Sequence, residues 1–247
     1  MRSIYLALWT NPVTRFIYLA CITPLNIIWY YLLHRKFLGD PIQRNLWKDR
    51  RSDDFLQVDN VEGDPYYINL DKAVADRLRG FDDSLYLEVG CYYGYRLNKF
   101  ARELPHACFI GIDLGLENLL FGKKEFITAP NAVVVNADAC FLPFRDNSIG
   151  VVFTVVCLTH ADYSSIGKAI DELTRVCKHN LLLVEVDNRP MSWHRKMAIL
   201  NWDYGYMHQY EKLVGDKMKL VSMTPLRDTD NHPRYTFFEF SKPVMSP

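Results

Sequence analysis

The chain has 247 residues, a length that suits one α/β domain with additional elements at its ends. Its 29 Lys and Arg balance its 29 Asp and Glu, and the zero formal net charge argues against a nucleic-acid partner, which calls for a basic excess. Six cysteines, at 21, 91, 108, 140, 157 and 177, include no CxxC pair, so no metal site is expected and the free thiols suit a reducing, cytosol-facing compartment.

The first forty residues read as a hydrophobic helical segment. Phe16 to Leu33 is apolar and uncharged, between Arg15 and the cluster His34-Arg35-Lys36. A spanning helix needs about 20 apolar residues, with a lower limit near 17, and this run reaches it narrowly. Pro24 and Asn26 interrupt its middle, while Trp29, Tyr30 and Tyr31 beside the basic cluster suit a membrane interface. The run 16–33 is consistent with a membrane anchor, an interfacial or re-entrant helix, or a soluble lid. A cleavable signal is disfavoured, because bulky aromatics stand where small residues are needed. If the run spans, Arg35, Lys36, Arg44, Lys48, Arg50 and Arg51 place the downstream domain on the cytosolic side.

Residues 41–83 read as a linker and a cover helix. Within them, Asn69 to Gly80 has helical spacing at Leu70, Val74, Leu78 and Phe81, with Asn69 as cap and Gly80 as stop. From residue 84 to 247 the pattern alternates. Strands are expected at 84–89, 108–113 and 132–136, with helices at 94–104 and 116–128 between them. A strand at 149–157, a helix at 163–178 and a strand at 180–186 come next. A helix around 203–215 and a hairpin-like pair near 218–223 and 234–241 finish the chain. The alternation predicts an α/β, Rossmann-like, doubly wound and mostly parallel seven-stranded sheet with an antiparallel last strand.

Three strands end in or just before a carboxylate. Leu85-Tyr86-Leu87-Glu88-Val89 runs into the loop Gly90-Cys91-Tyr92-Tyr93-Gly94; Cys108 to Ile112 ends at Asp113; Ala132 to Val135 leads to Asn136-Ala137-Asp138-Ala139. Glycines after the first strand let the backbone approach a ligand and let the next helix pack closely. This arrangement describes a nucleoside-type pocket at the carboxyl edge of a parallel sheet.

Further motifs stand in order behind it. Ala137-Asp138-Ala139-Cys140-Phe141-Leu142-Pro143-Phe144 leads into Arg145-Asp146-Asn147-Ser148, then the apolar run to His160, then Glu172-Leu173-Thr174-Arg175-Val176-Cys177-Lys178. From about Ser84 to Asp187 the chain resembles the class I S-adenosylmethionine-dependent methyltransferases. The resemblance implies S-adenosyl-L-methionine as cofactor, with Glu88, Gly90, Cys91 and Gly94 around its methionine part. It implies Asp113, followed by Leu114, at the ribose hydroxyls. It places Asp138 and the Ala139 amide at the adenine, with Cys140 and Phe141 along the adenine face. His160, just past the fourth strand, is the candidate base for an acceptor hydroxyl, since histidine titrates near neutrality; a packing role is the plainer alternative. Two residues depart from the family pattern: Tyr92 stands where many relatives have glycine, and Gly150 where they commonly have Asp.

Glu185 and Asp187, at the end of the fifth strand, reach the same edge, either to meet a polar acceptor or as caps. Trp193 to Tyr210 is dense in aromatics, which suits a small-molecule or lipid-like acceptor, or packing. Two rivals stay open. An NAD(P)-dependent oxidoreductase would fit the sheet and Asp113, but G-x-G-x-x-G is absent. A membrane-tethered binding or scaffold protein could keep the fold without turnover.

Overall fold

The computed structural model describes Lys48 and residues 65–187, 189, 208–227 and 233–243. The expected hydrophobic segment at 1–40, with its apolar run at 16–33, lies outside them, as do residues 193–207 of the aromatic stretch. Among the described residues, no helix is long and apolar enough to cross a membrane.

Helix α1 (Pro65–Arg79) comes first, then β1 (Leu85–Val89), α2 (Tyr95–Glu103), β2 (Cys108–Asp113), α3 (Leu116–Glu125) and β3 (Ala132–Asn136). Next are β4 (Ile149–Val155), a 3-10 turn at Leu158–His160, α4 (Ile166–Val176) and β5 (Cys177–Val186). A short helix α5 (Tyr210–Val214), a second 3-10 turn at Gly215–Lys217 and the strands β6 (Lys219–Arg227) and β7 (Pro233–Ser241) complete the described chain. The seven strands form one sheet in the order β3-β2-β1-β4-β5-β7-β6. β1 to β5 pair in parallel, and β7 runs antiparallel to both β5 and β6. The chain winds outward from β1 to β3, then returns to lay β4 on the other side of β1. That reversal opens a crevice beyond the carboxyl ends of β1 and β4.

β4 is buried along its whole length, as suits a central strand that is apolar apart from Thr154. The buried side of α4, with Ile166, Ala169, Ile170, Leu173 and Val176, belongs to the core cluster that also holds Val152, Leu181, Leu183 and Phe238. α1 packs as part of the domain. Leu70, Val74 and Leu78 are fully buried, the Tyr86 hydroxyl donates to the Leu78 carbonyl at 3.1 Å, and Arg77 pairs with Glu239 at 3.1 Å.

Several boundaries differ from expectation, each for a local reason. α1 starts at Pro65, not Asn69, because proline is at home in a first helical turn where its missing N–H is not needed. α3 stops at Glu125, and the Asn98 side chain then accepts from the N–H groups of Thr128 and Ala129, both at 2.9 Å. α4 starts at Ile166, since the Asp162 carboxylate takes the amides of Ser164 and Ser165 at 2.7 and 2.8 Å and holds a turn there. β4 ends at Val155, because Val156 turns into the left-handed region at φ 56. β5 begins at Cys177, three residues before the expected start at 180, with α4 running straight into it.

Gly150 has a structural explanation. A Cβ at this position would overlap the Asp83 carboxylate, which accepts from the Ser84 amide at 2.7 Å and meets His179 Nδ1 at 2.7 Å. Asp83 thus brings a carboxylate to the place where a residue-150 side chain would stand, near the start of β4 and away from the crevice.

Candidate functional site

The crevice holds a cavity of about 320 Å³ at the carboxyl ends of β1, β2 and β4. Its first wall is the loop after β1. Gly90 has φ 81, and a Cβ there would overlap the Cys157 thiol of the facing loop. The amides of Gly90 and Cys91 both donate to the Ile112 carbonyl, at 2.8 and 2.9 Å, which ties the loop to β2. Tyr92 takes φ 53, a conformation that glycine adopts freely and a bulky residue does not. Its amide donates to Asp113 Oδ2 at 2.9 Å, which helps hold that conformation. Cys91 borders the cavity, but its thiol packs toward Gly111 on β2. Gly94 does not line the cavity: at φ 78 it opens α2, and a Cβ there would press on Ile127. Its smallness serves loop packing.

Three carboxylates meet this cavity from the ends of three strands or their loops: Glu88, Asp113 and Asp138. Glu88 is buried, its Oε2 has no hydrogen-bond partner among the described residues, and burial pushes its pKa up to about 8 against the pull of Arg96. Burial also raises the pKa of Asp113, opposed by the amides of Gly115, Tyr92 and Leu114. Asp138 Oδ1 accepts from the Cys140 amide at 2.9 Å, closing a turn that presents Ala139 and Cys140 to the cavity. Phe141 does not border it. It is 61% exposed, with the Lys168 ammonium 3.3 Å from its ring centroid.

The opposite wall is the loop after β4. Val156, a β-branched residue in the left-handed region, marks the strained point where the strand turns. Glu185, fully buried on β5, fastens the loop just beyond that point. Its carboxylate accepts from the Thr154 hydroxyl at 2.7 Å and from the amides of Cys157, Leu158 and Thr159 at 3.1, 3.0 and 3.1 Å. Burial nonetheless carries its pKa up to about 7. The clamp sets the 3-10 turn that brings His160 to the cavity. Glu185 and Asp187 do not line the cavity themselves. Asp187 takes Arg189 at 2.9 and 3.0 Å.

The loop from Leu142 to Asp146 is held by α4. Glu172 accepts from the Leu142 amide at 2.7 Å, and Arg175 donates to the carbonyls of Phe144 and Leu142 at 2.8 and 3.1 Å. Arg175 also pairs with Glu172 and Asp146. The E-x-x-R spacing therefore places two charges on one helical turn to clamp the Leu-Pro-Phe loop.

Residues 87–180 match a family model described as a methyltransferase domain. The matched stretch runs from β1 into β5. The chain is similar to malonyl-[acyl-carrier protein] O-methyltransferase of Marinomonas sp. (strain MWYL1), at 30% identity over 120 residues, which is 45% of this chain and 42% of that protein. The chain thus spans less than half the length of this curated relative. Among solved structures, magnesium protoporphyrin IX methyltransferase of Synechocystis PCC 6803, with bound SAH, superposes with a TM-score of 0.62 at 15% identity, over 82% of this chain and 99% of that one. Geranyl diphosphate C-methyltransferase of Streptomyces coelicolor A3(2) gives 0.58 at 14% identity, over 72% and 81%. A 4+2 cyclase also gives 0.58, at 17% identity, over 71% and 80%. At such identities the shared property is the fold.

Within the matched stretch, the expected site residues Glu88, Gly90, Cys91, Asp113, Leu114, Asp138, Ala139, Cys140 and His160 all line one cavity. Sequence reasoning missed Arg96, Cys157, Asp162 and Tyr235, which line it too. Arg96 comes two residues after the glycine loop, a signal that was available. Tyr235 arrives from β7 with no local signal at all.

Proposed function

We propose that the protein is an S-adenosyl-L-methionine-dependent methyltransferase acting on a small-molecule or lipid-like acceptor. The observation that carries this reading is the convergence of Glu88, Asp113 and Asp138 on one cavity at the sheet's switch point. The residues present fit the cofactor. The buried, unpartnered oxygen of Glu88 offers an acceptor beside the glycine loop, where the methionine part would lie. Asp113 stands at the end of β2 for ribose hydroxyls, and the Asp138 turn offers a carboxylate and the Ala139 amide to a purine edge. S-adenosyl-L-methionine, when bound, supplies a methyl group on a cationic sulfur.

The remaining work of the chain is positioning and proton transfer. Holding the two reactants in line supplies most of the rate in such a displacement. His160 faces the cavity on the wall set by Glu185 and takes the proton of an acceptor hydroxyl. The relatives support the acceptor class: one is named for malonyl-[acyl-carrier protein], and another holds geranyl diphosphate and S-adenosyl-L-homocysteine. The zero net charge supports an acceptor other than nucleic acid. The apolar run at 16–33 supports membrane contact, with the domain on the cytosolic side. A second reading, a binding protein of this fold without methyl transfer, draws on the cyclase that shares it.

The test uses cofactor labelled in its methyl group, offered with small-molecule and lipid extracts. Label should enter an extractable acceptor, and His160→Ala should lower that transfer about 10²- to 10⁴-fold. Cofactor binding without any transfer would favour the binding-protein reading.

A further inference from the structure

Among the described residues that line the cavity, Arg96 is the one Arg or Lys, and the acids are Glu88, Asp113, Asp138 and Asp162. It sits in the first turn of α2, directly behind the glycine loop. Its Nε donates to Asp71 Oδ1 at 2.7 Å. Asp71 is only 3% exposed and comes from α1; its other oxygen lies 3.4 Å from Lys99 Nζ. The guanidinium is therefore oriented by a fixed partner on one edge. Among the described residues, nothing accepts from its two terminal nitrogens, whose fixed fork matches a carboxylate.

The charge balance at this corner points the same way. Arg96 and Lys99 both pair with Asp71, and Arg96 also acts on Glu88. Glu88, pushed up to about 8 by burial, is largely protonated at neutral pH. Two cations then share the single charge of Asp71 at this corner, so an anion entering the cavity meets a net positive charge. Tyr235 stands at the same corner from β7 and is close enough to affect Arg96 electrostatically.

We propose that Arg96, oriented by Asp71, is the carboxylate-binding residue of the cavity. The inference rests on the functional reading above and adds a ligand group to it. The carboxylate has two sources: the amino-acid end of the cofactor, or an acidic acceptor.

Calorimetric titration separates them. Wild type and Arg96→Gln are titrated with S-adenosylhomocysteine, with 5′-methylthioadenosine, which lacks the carboxylate, and with hexanoate and malonate, using free and S-adenosylhomocysteine-saturated protein. Loss of a charge-assisted pair should weaken the relevant ligand about 10- to 100-fold. A loss confined to S-adenosylhomocysteine, with methylthioadenosine unchanged, assigns the cofactor carboxylate. Unchanged S-adenosylhomocysteine, with hexanoate or malonate binding wild type but not the variant, assigns an acceptor. Wild type and variant alike toward every ligand overturns the proposal. If wild type binds neither adenosyl compound, the methyltransferase reading fails separately, and the carboxylates on free protein still decide for or against Arg96. Should Arg96→Gln fail to fold, the Asp71→Asn/Arg96→Gln pair, which removes both members of the Arg96–Asp71 ion pair and leaves the partly exposed Lys99 to solvent, carries the same test.

Discussion

The two loops that wall the cavity pack closely at Gly90, and Gly90→Ala tests that contact. The substitution meets two costs. Ala at φ 81 enters the left-handed region, at about 1–2 kcal/mol. Its Cβ also overlaps the Cys157 side chain, and overpacking of this kind costs about 1–3 kcal/mol. The single variant should therefore lose about 2–5 kcal/mol, a large part of the stability of an ordinary domain. Cys157→Gly removes the overlapping atoms and leaves the backbone cost. In that background Gly90→Ala should cost only about 1–2 kcal/mol. The double variant should thus be less destabilised than the sum of the singles by about 1–3 kcal/mol, measured by urea denaturation of all four proteins. A deviation from additivity below about 0.5 kcal/mol would mean that the loops are not packed on each other.

Other outcomes stem from buried acids and from one relocated carboxylate. Glu185→Gln offers one oxygen where four donors converge and sets an amide N–H against a backbone N–H, at about 1–3 kcal/mol. Maleimide should then label Cys157 faster while Cys91 and Cys140 change little; equal acceleration of all three would point to global loosening instead. The pKa of Glu88 rises from 4.5 in the unfolded chain to about 8 in the fold, so the folded state holds the proton more tightly. Its contribution is full below about 4.5 and is lost as pH rises through about 8, at up to about 1.4 kcal/mol per pH unit. Glu88→Gln should flatten the stability profile between pH 5 and 8, and an unaltered slope would reject the assignment. Gly150→Ala should cost about 1–3 kcal/mol by displacing the Asp83 carboxylate, and an Asp83→Gly background should relieve most of it in thermal melts.

Much of the architecture was legible because its signals are local. Strands 108–113 and 132–136 were bounded correctly by apolar runs between turn residues, and the carboxylates at the strand ends marked the cavity. The E-x-x-R spacing on α4 also carried information, since both charges grip the Leu-Pro-Phe loop. The features that stayed hidden depend on contacts distant in sequence. Nothing near Gly150 reveals that Asp83 replaces its side chain, and nothing near Tyr235 tells that β7 delivers it to the cavity. Phe141 comes directly after Cys140, yet the Asp138 turn sends it outward beneath Lys168. Gly94 looked like a ligand contact because a glycine's sequence does not say whether a loop or a ligand needs the space. Glu185 was visible as an acid on the right edge, but its four donors come from a loop whose left-handed Val156 no propensity would suggest.

The central claim is that this cavity binds an adenosyl sulfonium cofactor and not a dinucleotide. The direct measurement is calorimetric titration of the purified full chain with S-adenosylhomocysteine and, separately, with NAD. Saturable binding of S-adenosylhomocysteine is expected, weakened by about 1.5–3 kcal/mol in a folded Asp113→Ala variant and without competition by NAD. A cavity that prefers NAD, or wild-type protein with no affinity for S-adenosylhomocysteine, would contradict it.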